Sequence, residues 1–113
     1  MAVQGIGGYF FRANDPEALA AWYAEHLGMG PEWEQQAGPT VIQPFPADSA
    51  YFPLVRQAML NLRVDDLPGM IAKLEASGIA VERNPDWDGV YGSFARITDP
   101  EGNPIELWEP RSV

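Results

Sequence analysis

A chain of 113 residues, 46% of them apolar, can bury one core and suits a single domain over 1–113. Sixteen Asp and Glu against seven Lys and Arg leave a formal charge of −9. That charge repels phosphate backbones and anionic lipid, so neither nucleic acid nor a membrane is an expected partner. The absence of cysteine excludes disulfides, thiolate metal sites and a cysteine nucleophile.

The opening segment, MAVQGIGGYFFR, lacks the basic-then-apolar pattern of an export signal. The longest purely apolar run, residues 18–24, falls far short of the ~20 residues that span a bilayer. A cytoplasmic protein is expected. The first predicted element is a short apolar strand over 6–12. Asn14 and Asp15 can accept from the free amides of a helix start, and Pro16 suits the first helical position. A helix follows over 16–27, with Leu19, Tyr23 and Leu27 as its apolar stripe and Gly28 as its stop. Strands are expected over 32–36, 40–45 and 50–55.

Near Arg56 and Gln57 the pattern starts again. A strand over 58–64 leads to Asp65 and Asp66, a helix over 67–77 and a stop at Gly78. Strands over 80–83, 90–98 and 104–109 complete the chain. Aligned at a shift of 51, Arg12 meets Arg63, Asp15 meets Asp66 and Ala21 meets Ala72. The repeated order of elements defines two βαβββ modules, about 1–56 and 57–113. The fold class is α+β, with both helices on one face of a mixed, largely antiparallel sheet.

The last two strands carry their own register. In RITDPEGNPIELWEP, a three-residue loop of Pro100, Glu101 and a left-handed Gly102 sets Asp99 opposite Asn103. Ile97 then faces Ile105 and Ala95 faces Leu107 on the helix side. Arg96 faces Glu106 and Phe94 faces Trp108 on the other side. A carboxylate in mid-strand, paired with an arginine and bracketed by large aromatics, reads as the floor of a cleft. In AMLNLRV the alternation sends Met59, Asn61 and Arg63 to the same open face, and the repeat adds Gly8, Phe10 and Arg12. Trp87 and Tyr91, in the polar NPDWDGVYGSF loop, are candidates for the cleft rim, as are Trp33, Phe45 and Phe52.

FFRANDPEALAAWYAEHLGM, LRVDDLPGMIAKLEASGI and ITDPEGNPIELWEP together resemble the vicinal oxygen chelate superfamily of glyoxalases, bleomycin-resistance proteins and extradiol dioxygenases. The resemblance implies paired βαβββ modules curving around a cleft, with the helices outside, and a homodimer. It also implies up to four metal ligands from the first and last strands of each module. One of those positions falls on Glu106, a match. The others fall on Gly8, on Met59 and near Tyr51 or Phe52, where no carboxylate or imidazole stands. The single histidine, His26, belongs to a helix covering the opposite face and suits its C-terminus or a place beside Trp22. No cofactor is expected and a divalent metal is not favoured.

The leading expectation is therefore a metal-free module that binds a small amphipathic or aromatic molecule through Phe10, Arg12, Asn61, Arg63, Trp87, Tyr91, Phe94, Arg96 and Trp108. The acidic balance suits a cationic ligand, held against indole and phenol faces. A second reading is a lyase- or isomerase-type enzyme with Glu106 as general base and Arg63 or Arg96 stabilising an oxyanion. A third is a dimer in which the sheet face serves only as an interface.

Overall fold

The computed structural model describes residues 1–111. Helix α1, Pro16–Leu27, begins where the Asp15 side chain accepts from the Ala18 amide and ends at Gly28, whose φ of 68° is left-handed. Strand β1 is Leu60–Arg63 and helix α2 is Leu67–Ala76, capped in the same way by Asp66 accepting from Gly69. Strands β2, Gly92–Thr98, and β3, Pro104–Pro110, close the chain. Both helices start on an Asx cap followed by proline, so their positions follow from local chemistry.

The three strands form one mixed sheet in the order β1-β3-β2. β2 and β3 pair antiparallel, with Ile97 opposite Ile105, Ala95 opposite Leu107, Arg96 opposite Glu106 and Phe94 opposite Trp108. The turn between them has the expected form, with Gly102 at φ 87° and a backbone bond from the Asp99 amide to the Asn103 carbonyl. β1 lies parallel to β3, which sets Asn61 beside Glu106. Ala95, Ile97, Ile105 and Leu107 are fully buried and pack with Leu19, Tyr23, Leu67 and Leu74 of the two helices. The helices thus cover one face of the sheet, as the alternation of β2 and β3 requires.

Two carboxylates of the last hairpin tie the helices down. Glu101 accepts from the Asn14 and Asp15 amides at the start of α1, and Glu109 accepts from the Leu67 amide at the start of α2. Asp99 is buried beneath the turn and accepts from the Tyr23 hydroxyl at 2.7 Å, from both nitrogens of Asn103 and from the Glu101 amide. Burial first, and then the bond to Asp99 and its charge, hold the Tyr23 phenol neutral well above its usual range.

The first half departs from expectation. Residues 6–12, 32–36, 40–45 and 50–55 run without ladder pairing, and 80–83 contributes only a single bridge, Glu82 to Arg96. A strand exists only when its amides find a neighbouring backbone. Among the described residues none pairs with the outer edge of β1. Gly5, Gly7 and Gly8 weaken the first segment, and Pro39, Pro44, Pro46 and Pro53 remove ladder donors from the others. The modular repeat is therefore complete in its helices and incomplete in its strands.

Candidate functional site

The open face of the sheet is organised around Glu106, at the centre of β3 and only 7% exposed. Oε1 accepts from Asn61 Nδ2 at 2.8 Å and Oε2 accepts from the Tyr51 hydroxyl at 2.5 Å. Asn61 is placed by the parallel register of β1. Tyr51 arrives from the proline-rich 39–57 segment, where it packs against Phe45 and Trp87. Burial, then the bond to Glu106 and its charge, push the Tyr51 phenol up to about 12; the charge of Arg96 and the nearness of its donors to the hydroxyl partly offset this.

Arg96 is 8% exposed and stands directly across the ladder from Glu106. The expected ion pair is not formed, since among the described residues no Arg96 nitrogen lies within 4.0 Å of a Glu106 oxygen. Its guanidinium carbon sits 4.9 Å from the centroid of the Tyr51 ring and 4.8 Å from that of Trp87. Cation–π contact takes the place of the carboxylate. The carboxylate, in turn, is satisfied by two neutral donors that reach it from β1 and from the first half.

Phe94 and Trp108 lie with rings nearly parallel, 5° apart in plane and 6.2 Å between centroids. The Trp108 indole N–H donates to the Tyr91 carbonyl at 2.9 Å, which fixes that ring while the Tyr91 side chain remains 75% exposed. Trp87 stands on a short 3-10 turn, Pro85–Trp87, begun by an Asn84 cap. Arg63 does not reach the Glu106 cluster. It donates to the carbonyls of Gln36 at 2.9 Å and Ala37 at 3.5 Å, and its guanidinium lies against Gly38, so that a side chain there would displace it.

An open concavity of about 2380 Å³ is lined by Asn61, Arg63, Phe94, Glu106 and Trp108 from the second half, whereas the predicted site residues Arg96 and Trp87 stand outside its lining. Phe10, Phe45, Tyr51 and Phe52 line it from the first. Phe10 is 96% exposed, and Arg12 lies outside the lining. Both positions assumed a strand beside the sheet, and that strand is not formed. His26 packs on Trp22, 5.4 Å between ring centroids, on the helix side of the molecule. Gly8 and Met59 line the concavity and bring no oxygen or imidazole to it. Among the described residues no three His, Asp or Glu side chains gather as a cation site.

The residue that sequence reasoning missed is Tyr51. A signal for it existed: it stands near the place in the first half that corresponds to Glu106 in the second. That place carries no metal ligand, but its phenol donates to the carboxylate. Phe45 and Phe52, ring centroids 5.6 Å apart, form the aromatic support around it.

Residues 5–107 match the model of the Glyoxalase/Bleomycin resistance protein/Dioxygenase superfamily, and the chain belongs to that family. TnmS3, an antibiotic binding protein from Streptomyces sp. CB03234, is similar over 98% of this chain and 99% of its own, at 27% identity and a TM-score of 0.68. A superfamily member from Sphaerobacter thermophilus covers 86% of this chain and 90% of its own, at 19% identity and a TM-score of 0.53. The trypanothione-dependent glyoxalase I of Leishmania major covers 88% and 81%, at 20% identity and a TM-score of 0.54. The last two show the shared fold alone. No curated protein matches the chain at a significant level. Among the described residues no helix is long and apolar enough to cross a membrane.

Proposed function

We propose that this protein is a cytoplasmic binding module that encloses a small amphipathic or aromatic molecule against the open face of its sheet. The observation that carries this reading is the Glu106 floor: a buried carboxylate held by Tyr51 and Asn61, with Phe94 and Trp108 on one side and Trp87 over Arg96 on the other. A few fixed polar groups between aromatic walls are what orients and desolvates a planar ligand. The similarity to an antibiotic binding protein along nearly the whole chain supports the same class of function.

The module works without a resident metal. The four positions that the family resemblance assigns to ligands hold Gly8, Met59, an aromatic residue and Glu106, and both oxygens of Glu106 already accept hydrogen bonds. That set does not fit a divalent ion, which wants three or more N or O ligands. The same two hydrogen bonds stand between Glu106 and a role as general base, so binding is preferred to catalysis.

A second copy of the chain completes the cleft. The concavity, at about 2380 Å³, is more than twice the upper end of the roughly 300–1,000 Å³ of an ordinary ligand pocket. Ile6, Phe10, Val41, Ile42 and Val55 expose apolar surface on the same half, and the edge of β1 is open. A homodimer that pairs this edge and covers these residues is the expected state.

The test is a thermal-shift screen of drugs, aromatic acids and thiol conjugates. A ligand at 100 times its Kd stabilises by about 2.7 kcal/mol. Several aromatic ligands should raise the midpoint, and Glu106→Gln should weaken them. A variant that keeps binding but abolishes turnover of a ligand would instead make the protein an enzyme.

A further inference from the structure

Arg96 carries donors that the cluster leaves unused. Among the described residues neither Nε nor Nη2 has a hydrogen-bond partner, and both are shielded from solvent in a residue that is 8% exposed. The guanidinium carbon lies 4.9 Å from the Tyr51 ring centroid and 4.8 Å from that of Trp87, and an aromatic ring is a weak substitute for an oxygen acceptor of an N–H group. Buried donors without acceptors are costly, and such a cost persists where something else meets them. Nε and Nη2 together form one edge of the guanidinium, whose two parallel N–H groups match a pair of coplanar oxygens.

We propose that this edge of Arg96 is the receptor for a carboxylate, or an equivalent pair of coplanar oxygens, on a planar aromatic ligand. The inference rests on the binding function proposed above and adds the polarity of the ligand. The ring system lies in the concavity beside Tyr51 and Glu106, which line it next to Arg96, and its oxygens replace the missing acceptors of Arg96. Trp87 is the movable cover, because it rides on a single 3-10 turn outside the sheet, whereas Tyr51 is bonded to Glu106. Glu106, already supplied with two neutral donors, does not compete for the arginine. The acidic surface favours approach of a cation, so the local donor pair and the net charge of −9 predict opposite ligand preferences.

Three probes with one ring system separate them: 2-naphthoate, 2-naphthamide and 2-naphthylmethylammonium, titrated into the full chain at neutral pH and read by calorimetry. Naphthoate should bind about ten-fold or more tighter than the ammonium probe, since a charge-assisted bond contributes roughly 1.5–3 kcal/mol. Arg96→Lys keeps the charge and removes the paired edge, so it should lose much of the preference for naphthoate over naphthamide. Arg96→Gln should bring all three probes within about two-fold of one another. Circular dichroism shows whether each variant is folded, and the order of the probes on the unaltered protein decides the matter if neither is. Equal binding of all three, or a preference for ammonium, overturns the Arg96 assignment and leaves the aromatic cleft intact. Failure of all three to bind overturns both.

Discussion

The two halves of the molecule begin with the same instructions and end differently. Each has an apolar segment, an Asx cap, a proline and a helix stopped by glycine. In both, the helix forms where those residues place it. Only in the second half do strands form. There β3 lies between β1 and β2, and the inward Ala95, Ile97, Ile105 and Leu107 pack with residues of both helices. In the first half the apolar segments remain unpaired, with Ile42 77% exposed and Val55 89% exposed. A helix satisfies its backbone within itself, whereas a strand depends on what lies alongside.

Core truncation should break this comparison most sharply. Leu107→Ala removes a side chain with no exposed surface and should cost about 3 kcal/mol by chemical denaturation. The same kind of change in the first half, Ile42→Ala, should cost no more than about 0.5 kcal/mol in dilute protein. At concentrations where the dimer forms, that cost should grow, and sedimentation velocity would follow the same trend. An equal cost for both substitutions at every concentration would mean that the first half is packed independently of a partner.

A smaller effect should be shared. Asp15→Ala and Asp66→Ala each remove a side-chain acceptor from a helix start, and each should cost about 1 kcal/mol. Near-equal losses would confirm that the helices of the two halves rest on the same local chemistry. A cap that matters in one half only would place the difference between the halves in the helices as well.

The finest probe is Tyr51, where the first half meets the second. Its phenol is raised from 10.0 to about 12 by burial and by Glu106, so the folded protein favours the neutral form. The stability this contributes is full below about pH 10 and is lost as pH rises towards about 12. Across that interval the melting midpoint of the unaltered protein should fall more steeply than that of Tyr51→Phe. Parallel curves would detach Tyr51 from Glu106.

Much of the site was legible from the hairpin. Pro100 and Gly102 dictated a turn, the turn dictated the register, and the register put Arg96, Glu106, Phe94 and Trp108 on one face. What that reasoning assumed, that opposed charges must pair, did not hold. The chain brought Glu106 two neutral donors from distant segments and gave Arg96 two aromatic rings. Phe10 and Arg12 were assigned by analogy with Asn61 and Arg63, and the analogy required a ladder for residues 6–12 to join.

The amino-acid sequence by itself determined both helices, their caps, the last hairpin and its alternation, because each depends on residues within a few positions of one another. Only the tertiary structure decided that Tyr51 closes over Glu106, that Arg96 keeps one edge free, and that the first half leaves its apolar segments uncovered. Those outcomes depend on which surfaces meet across more than 40 residues of intervening chain, and no local preference encodes such a meeting.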